Sequence, residues 1–410
     1  MSWLLDPRNY HINFKTAFLV NNPVTSLPEP EFSEWNSLAK NFPSILREGE
    51  IRSTVENLKS VNCQNLTYRE KRCAHVFACH FASGYVHDRS ADTSSDRLPA
   101  SIAEPLYYLC RELGMISTLS APQNCANYTG NLEDINQLQS IIDLFEQPER
   151  SYEWFMLVAI RVEYEFAPVI KAIYDIQIAV LDNDVELARK SLDVIKSSIT
   201  SMDKVFEKMY QKCDADVFYD DIRPFLSGWK GNPALPDGLF FEGVGKRVYH
   251  PGGSAGQSAT LATLDTFFGV RHTGKIKEFM DEMRTAMPTM HVKFLEELAE
   301  ISPRVKNYVE VNDLSFPWNN AVEELVKLRQ NHMIMVTKYI INVANRHKNR
   351  RLSGVAFGSF IRSKNSPESG RRPSKIDDQT LADTGTGGTP FMMFLKNVVK
   401  NTKEACLIAE

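Results

Sequence analysis

Apolar residues recur every three or four positions through most of the chain, the spacing of helices that bury one face. Residues 1–33 are the first exception. Pro7, Pro23, Pro28 and Pro30 break any long periodic element there. From about Glu34 the pattern turns helical, and Phe32, Trp35, Leu38 and Phe42 fall on one 3.6-residue stripe. Helical periods continue through 48–60, 67–86 and 100–113, with Pro99 suited to the start of the last. The stretch HDRSADTSSDRL at 87–98 is polar and aperiodic, and reads as a loop. After Met115, ISTLSAPQNCANYTGN is punctuated by Pro122 and Gly130 and reads as a connector.

The second half repeats the helical theme. LEDINQLQSIIDLF at 132–145 predicts a helix. The apolar run from Trp154 to Ile176 predicts another, kinked or divided at Pro168. A long helical pattern covers 178–212, and clear helices cover 274–300 and 319–346. Between them, 225–259 is rich in glycine and proline and cannot be continuous helix. Few segments alternate as strands do. The expected fold is therefore mostly α. It would comprise a small N-terminal helical domain over 1–115, a connector at 116–130 and a large helical domain over 131–410.

Composition bounds the function. The 410 residues fit two or three domains at roughly 150 residues each. The 47 basic and 51 acidic residues leave a net charge of -4, which excludes a strongly basic nucleic-acid binder. The seven cysteines are odd in number and contain no Cys-x-x-Cys pair, so neither a zinc ribbon nor a disulfide framework is supported. No leader and no membrane span is expected, and a cytoplasmic location follows from that reading. No broad exposed apolar helix stands out, so a monomer is expected. Nine Lys/Arg against one Glu between Arg346 and Lys375 predict a mobile surface loop, placed at about 347–385.

The candidate chemistry is sparse. The chain lacks a His-Glu-x-x-His motif, a P-loop and a Gly-x-Ser-x-Gly elbow. TGTGGT at 384–389 is either a tight turn or a loop offering backbone N–H groups to an anion. His332 lies in LVKLRQNHMIMVTKYI, with Arg329 one turn before it. That pair suits an axial haem ligand beside a cation for a propionate. It equally suits a core histidine beside an arginine that reaches solvent. Arg223 lies among Phe218, Tyr219, Phe225 and Trp229. It could grip a carboxylate while the rings hold a flat apolar body, or pair internally with Asp220 or Asp221.

Several segments taken together resemble the indoleamine 2,3-dioxygenase family. They are SGWKGNPALPDGLFFEG at 227–243, GGSAGQS at 252–258, MRTAMPTMHVKFL at 283–295, LRQNHMIMVTKYI at 328–340 and TGTGGTPFMMFLK at 384–396. YHINFKTAFLV, AKNFPSIL and RLPASIAEPL add to the likeness, which covers nearly the whole chain in order. The resemblance implies a haem b enzyme of the kynurenine route to NAD. It would insert O2 across the indole C2–C3 bond of L-tryptophan to give N-formylkynurenine, with a reductant keeping the iron ferrous. By that resemblance His332 is the proximal ligand, Arg329 lies near the propionates and Asp265 supports it. Ser254, Ala255 and Gly256 form the loop at the haem edge. Arg223 grips the substrate carboxylate, Phe155 and Phe218 are pocket walls, and Thr386 belongs to a closing loop.

The chain departs from the mammalian pattern at four places. Ala159 stands where a serine is usual, and Ser120 where a tyrosine is. Gln123 and Asn124 replace a cysteine and a valine, making that wall more polar, and Trp154 replaces a glycine. Activity is expected to survive, because oxygen insertion needs no side-chain base. Two other functions compete with the enzyme. Some molluscan myoglobins resemble this family, and oxygen binding alone would need neither Arg223 nor TGTGGT. A signalling member that has lost turnover would carry tyrosine-centred motifs in an exposed segment, and 347–380 contains no tyrosine.

Overall fold

A computed structural model describes residues 4–352 and 391–407. Its architecture is mostly α. Four helices form the first group: α1 (Ser33–Glu48), α2 (Ile51–Glu56), α3 (Tyr68–Val86) and α4 (Ala100–Leu113). Trp35, Leu38 and Phe42 are buried on the predicted stripe of α1. Helix α3 opens with a capping box between Thr67 and Glu70 and is buried on every side from Arg72 to Val86. The short turn α5 (Ala121–Asn124) follows, in a segment that is itself largely buried.

Two long helices then meet at the expected proline. Helix α6 (Ser151–Glu165) ends before Phe166, and α7 (Ala167–Asp182) begins with Pro168 in its first turn. Helix α8 (Val185–Phe206) follows, then the single turns α9 (Met209–Lys212) and α10 (Ala215–Val217). The last group is α11 (Ala259–Phe268), α12 (Gly274–Arg284), α13 (Thr289–Val311), α14 (Ser315–Val336), α15 (Asn342–Leu352) and α16 (Phe391–Lys403).

The glycine- and proline-rich stretch supplies a small sheet. Strand β1 (Arg97–Leu98) pairs in parallel with the strand at Leu239–Phe241, which pairs antiparallel with Lys246–Val248. The buried side chains form two clusters. One gathers α1–α4, the first half of α6, the stretch 209–248 and residues 335–344. The other gathers α7, α8, α11, α13 and α14, and draws in Leu5, Tyr10, Ile12, Ala17 and Phe18 from the N-terminal segment.

Three predicted helices are corrected. Residues 132–145 hold only a 3-10 turn (Ile135–Gln137) and a two-residue strand. Side chains capture the backbone there. Asn127 bonds both the N–H and the carbonyl of Ile142, and Asp143 accepts from the N–H groups of Leu144 and Phe145. The 178–212 pattern is cut at Asn183, which adopts φ 53°, and Asp184 caps the next helix by accepting from the Leu187 N–H. The 274–300 pattern is cut before Pro288, the residue preceding α13. Among the described residues, no helix is long and apolar enough to cross a membrane.

Candidate functional site

The site begins with two π-helical turns, Phe218–Ile222 and Thr337–Ile341. Such turns interrupt ordinary helical bonding and shift the side chains that follow. They face one another: the Phe218 and Tyr339 rings meet edge-on at 5.7 Å. The Tyr339 hydroxyl fixes this junction by donating to the Met209 or Cys213 carbonyls, at 3.1 and 2.8 Å. Phe155 of α6 joins Phe218 at 5.0 Å. The two expected wall residues are thus in contact.

Arg223 follows directly on the first π turn, its N–H bonded to the Phe218 carbonyl at 2.9 Å. The side chain is buried, and its guanidinium lies 5.1 Å over the Tyr219 ring. Burial lowers the Arg223 pKa from its ordinary value, against the opposing pull of Tyr219. The two acids considered as internal partners point elsewhere. Asp221 meets Arg89, and Asp220 meets His347 at 3.5 Å.

Ala159 lies one turn beyond Phe155. Among residues 151–160 of α6, only these two are not fully buried. Trp154 is fully buried and turned away from them, its indole N–H donating to the Lys208 carbonyl at 2.7 Å. Ser120 is buried and caps α5, its hydroxyl accepting from the Gln123 N–H. Asn124 donates to the Met156 carbonyl at 3.0 Å.

On another side stands His332 of α14, partly buried. Its ring meets that of Phe206 at 5.7 Å, and among the described residues it makes no hydrogen bond. Burial, reinforced by the Arg329 charge, lowers the imidazole to about 4, so the ring is neutral at ordinary pH. A neutral imidazole with its lone pair uncommitted is the state a haem iron requires. Arg329, one turn before, is buried and donates to Asp265 at 2.7 Å and to the Thr402 hydroxyl. Asp265 also faces His272 at 3.3 Å. Burial pushes the Asp265 carboxyl up, but Arg329 and His272 together hold its pKa below the ordinary value.

The loop at Ser254–Gly256 is rigidly built. Ser254 and Gln257 form a capping box around a single 3-10 turn, and Gln257 donates to the Gly252 carbonyl at 2.9 Å. Behind it, His250 accepts from the Ser117 N–H at 3.0 Å, and Ser117 accepts from the Trp229 indole at 2.8 Å. The approach leaves no space. A Cβ on Gly228 would lie 2.3 Å from the Gly252 nitrogen, and one on Gly253 would lie 2.7 Å from the Leu119 carbonyl oxygen. Thr386 and the remainder of the predicted loop beyond Leu352 lie outside the described residues.

The fold brings Phe155, Phe218 and Arg223 together, and separately unites Arg329, Asp265 and His332. Sequence reasoning did not identify Phe206, Tyr339, His272 or Thr402. Phe206 and Thr402 are far in sequence from the residues they touch, and His272 is seven residues from Asp265. Tyr339 lies within the 328–340 segment, but its partners Met209 and Cys213 are far away in sequence. Tyr219 was noted only as a neighbour of Arg223.

Comparison with known proteins gives a consistent result. The sequence model of a family described as Indoleamine 2,3-dioxygenase matches residues 6–405. The chain is 33% identical to indoleamine 2,3-dioxygenase 2 of Mus musculus over 409 residues, 97% of this chain and 95% of that protein. It is 33% identical to indoleamine 2,3-dioxygenase 1 of Rattus norvegicus, again over 97% and 95%. It is also 30% identical to a myoglobin of Haliotis madaka over 346 residues, 82% of this chain and 89% of that one.

Proposed function

Because the chain belongs to the indoleamine 2,3-dioxygenase family, we propose that it is a haem-dependent cytoplasmic enzyme that converts L-tryptophan and O2 to N-formylkynurenine. The observation that carries this reading is the uncommitted, neutral imidazole of His332 one turn from the fixed Arg329–Asp265 pair. His332 would hold the haem iron, and Arg329 would face a propionate. The residues present fit that group, since a carboxylate gains most from a cation already held in place. When bound, haem b supplies the oxygen chemistry, kept ferrous by a reductant.

The protein's own residues bind and orient the substrate. Arg223 would pair with the amino-acid carboxylate, since desolvating that group without a cation would oppose binding. Its burial makes the cation stronger for that purpose, because little water screens it. Phe155 and Phe218 would wall the indole, whose flat apolar body gains mainly from contact with aromatic faces. Ala159 offers no hydroxyl to the reacting atoms, so the site acts by position and exclusion of water rather than by a side-chain base.

The relationship to a myoglobin favours a second reading, oxygen binding without turnover. A buried arginine flanked by aromatic rings has no use in oxygen storage, and this favours the enzyme. The test is to load the purified protein with haem, reduce it, supply L-tryptophan and air, and follow N-formylkynurenine absorbance. Formation above the free-haem rate supports the enzyme. A stable oxygenated spectrum with no product supports oxygen binding.

A further inference from the structure

Helix α6 carries more than the substrate wall. Phe155, Ala159 and Glu163 follow at intervals of four residues and share one stripe. Glu163 is buried. One carboxylate oxygen accepts from the Ser258 hydroxyl at 2.6 Å, and the other accepts from the Thr260 hydroxyl. Ser258 is the N-cap residue of α11, and Thr260 lies in its first turn. The carboxylate therefore sits at the positive end of a ten-residue helix, where a negative charge is favoured.

The two hydroxyls also stand at a junction. Immediately before them is the Ser254–Gln257 turn. Further along the same helix, α11 presents Asp265 to Arg329. Beside Glu163 is a small pocket of about 10 Å³, lined by Phe18, Ala121, Pro122, Cys125, Ala259 and His291 as well. It is at the lower limit for one water.

We propose that Glu163 is a positioning residue, and that its two-hydroxyl grip on α11 sets the distance between the α6 substrate wall and the Ser254–Gly256 loop. The inference rests on the haem-dependent reading above. Glu163 acts through Ser258 and Thr260, whose hydroxyls its carboxylate accepts from. Losing the grip frees the start of α11, and with it the loop that precedes it, while the Asp265 end stays tethered to Arg329.

The experiment uses the full chain as Glu163→Leu, Glu163→Gln and the double variant Ser258→Ala/Thr260→Val. Amide hydrogen exchange over 254–260 is read without and with haem, and the C–O stretch of the ferrous CO complex and steady-state kinetics are read with haem. In Glu163→Leu, exchange over 254–260 rises about tenfold or more while that of α13 holds, the C–O stretch shifts or broadens, and kcat/KM falls about 10- to 100-fold, the scale of a small misplacement. Glu163→Gln restores part of each effect, since its amide oxygen keeps one acceptor. The double variant reproduces Glu163→Leu and takes its place should that variant fail to fold. Wild-type exchange over 254–260 together with a wild-type C–O stretch in a folded Glu163→Leu or double variant overturns the proposal. A wild-type protein that takes up no haem overturns the functional reading instead, and the exchange measurement still decides the grip.

Discussion

Arg329 and Asp265 form a buried ion pair at 2.7 Å, and the pair stands one helical turn from His332. The two side chains come from α14 and α11. Neither helix could hold its charge in the interior alone, because a buried ion without a partner is strongly disfavoured. The pair therefore fixes the orientation of α14 where His332 projects.

Removing one partner exposes that dependence. Among the described residues, Asp265→Ala leaves the buried Arg329 guanidinium with Thr402 as its one side-chain hydrogen-bond partner. A stability loss of about 3–5 kcal/mol follows, measurable by urea unfolding. A loss below about 1 kcal/mol would show that water or another group replaces the carboxylate.

The same logic applies to the substrate cation. Arg223→Ala should weaken L-tryptophan binding by about 2–5 kcal/mol, the cost of truncating one side of a buried charge pair. Arg223→Lys should recover little of this, since an ammonium cannot make the two parallel bonds of a guanidinium. Titration of the haem absorbance with tryptophan gives both affinities. Wild-type affinity in Arg223→Ala would move the carboxylate elsewhere.

Ala159→Ser restores the hydroxyl usual in mammalian members. The side chain is only partly buried, so the added oxygen needs no internal partner. Turnover should stay within about tenfold of the wild type, or ~1.4 kcal/mol in barrier. A much larger gain would mean that the hydroxyl takes part in the reaction and that its absence limits turnover.

One acid gives a pH signature. Burial raises the Asp143 carboxyl to about 7, against the opposing N–H bonds of Phe145 and Leu144. Its folded pKa thus exceeds its unfolded value, so the folded state holds the proton longer. The stability this contributes is complete below about pH 4 and is lost as pH rises toward 7. Asp143→Asn should therefore flatten the decline of stability between those limits. Chemical denaturation across that range tests it, and parallel profiles for the two proteins would contradict the assignment.

Much of this was legible in the sequence because helices announce themselves by period. The α3 and α4 boundaries, the division at Pro168 and the buried stripe of Trp35, Leu38 and Phe42 all follow from local spacing. What failed was also local in origin. Nothing in the apolar pattern of 132–145 reveals that Asn127 and Asp143 will take over its backbone bonds. The Arg329–Asp265 pairing expected from family resemblance is present, and Phe155 does reach Phe218. The π turns that bring Phe218 to Tyr339 were not read from the sequence, because one extra residue offsets the apolar stripe by less than its own width.

The most direct measurement supplies the ferrous, haem-loaded protein with L-tryptophan and doubly labelled O2 and weighs the product. The account predicts N-formylkynurenine carrying both labelled oxygen atoms, and loss of that product together with stoichiometric haem in His332→Ala. Tryptophan left unconsumed beneath a stable oxygenated spectrum, or full turnover in His332→Ala, would contradict it.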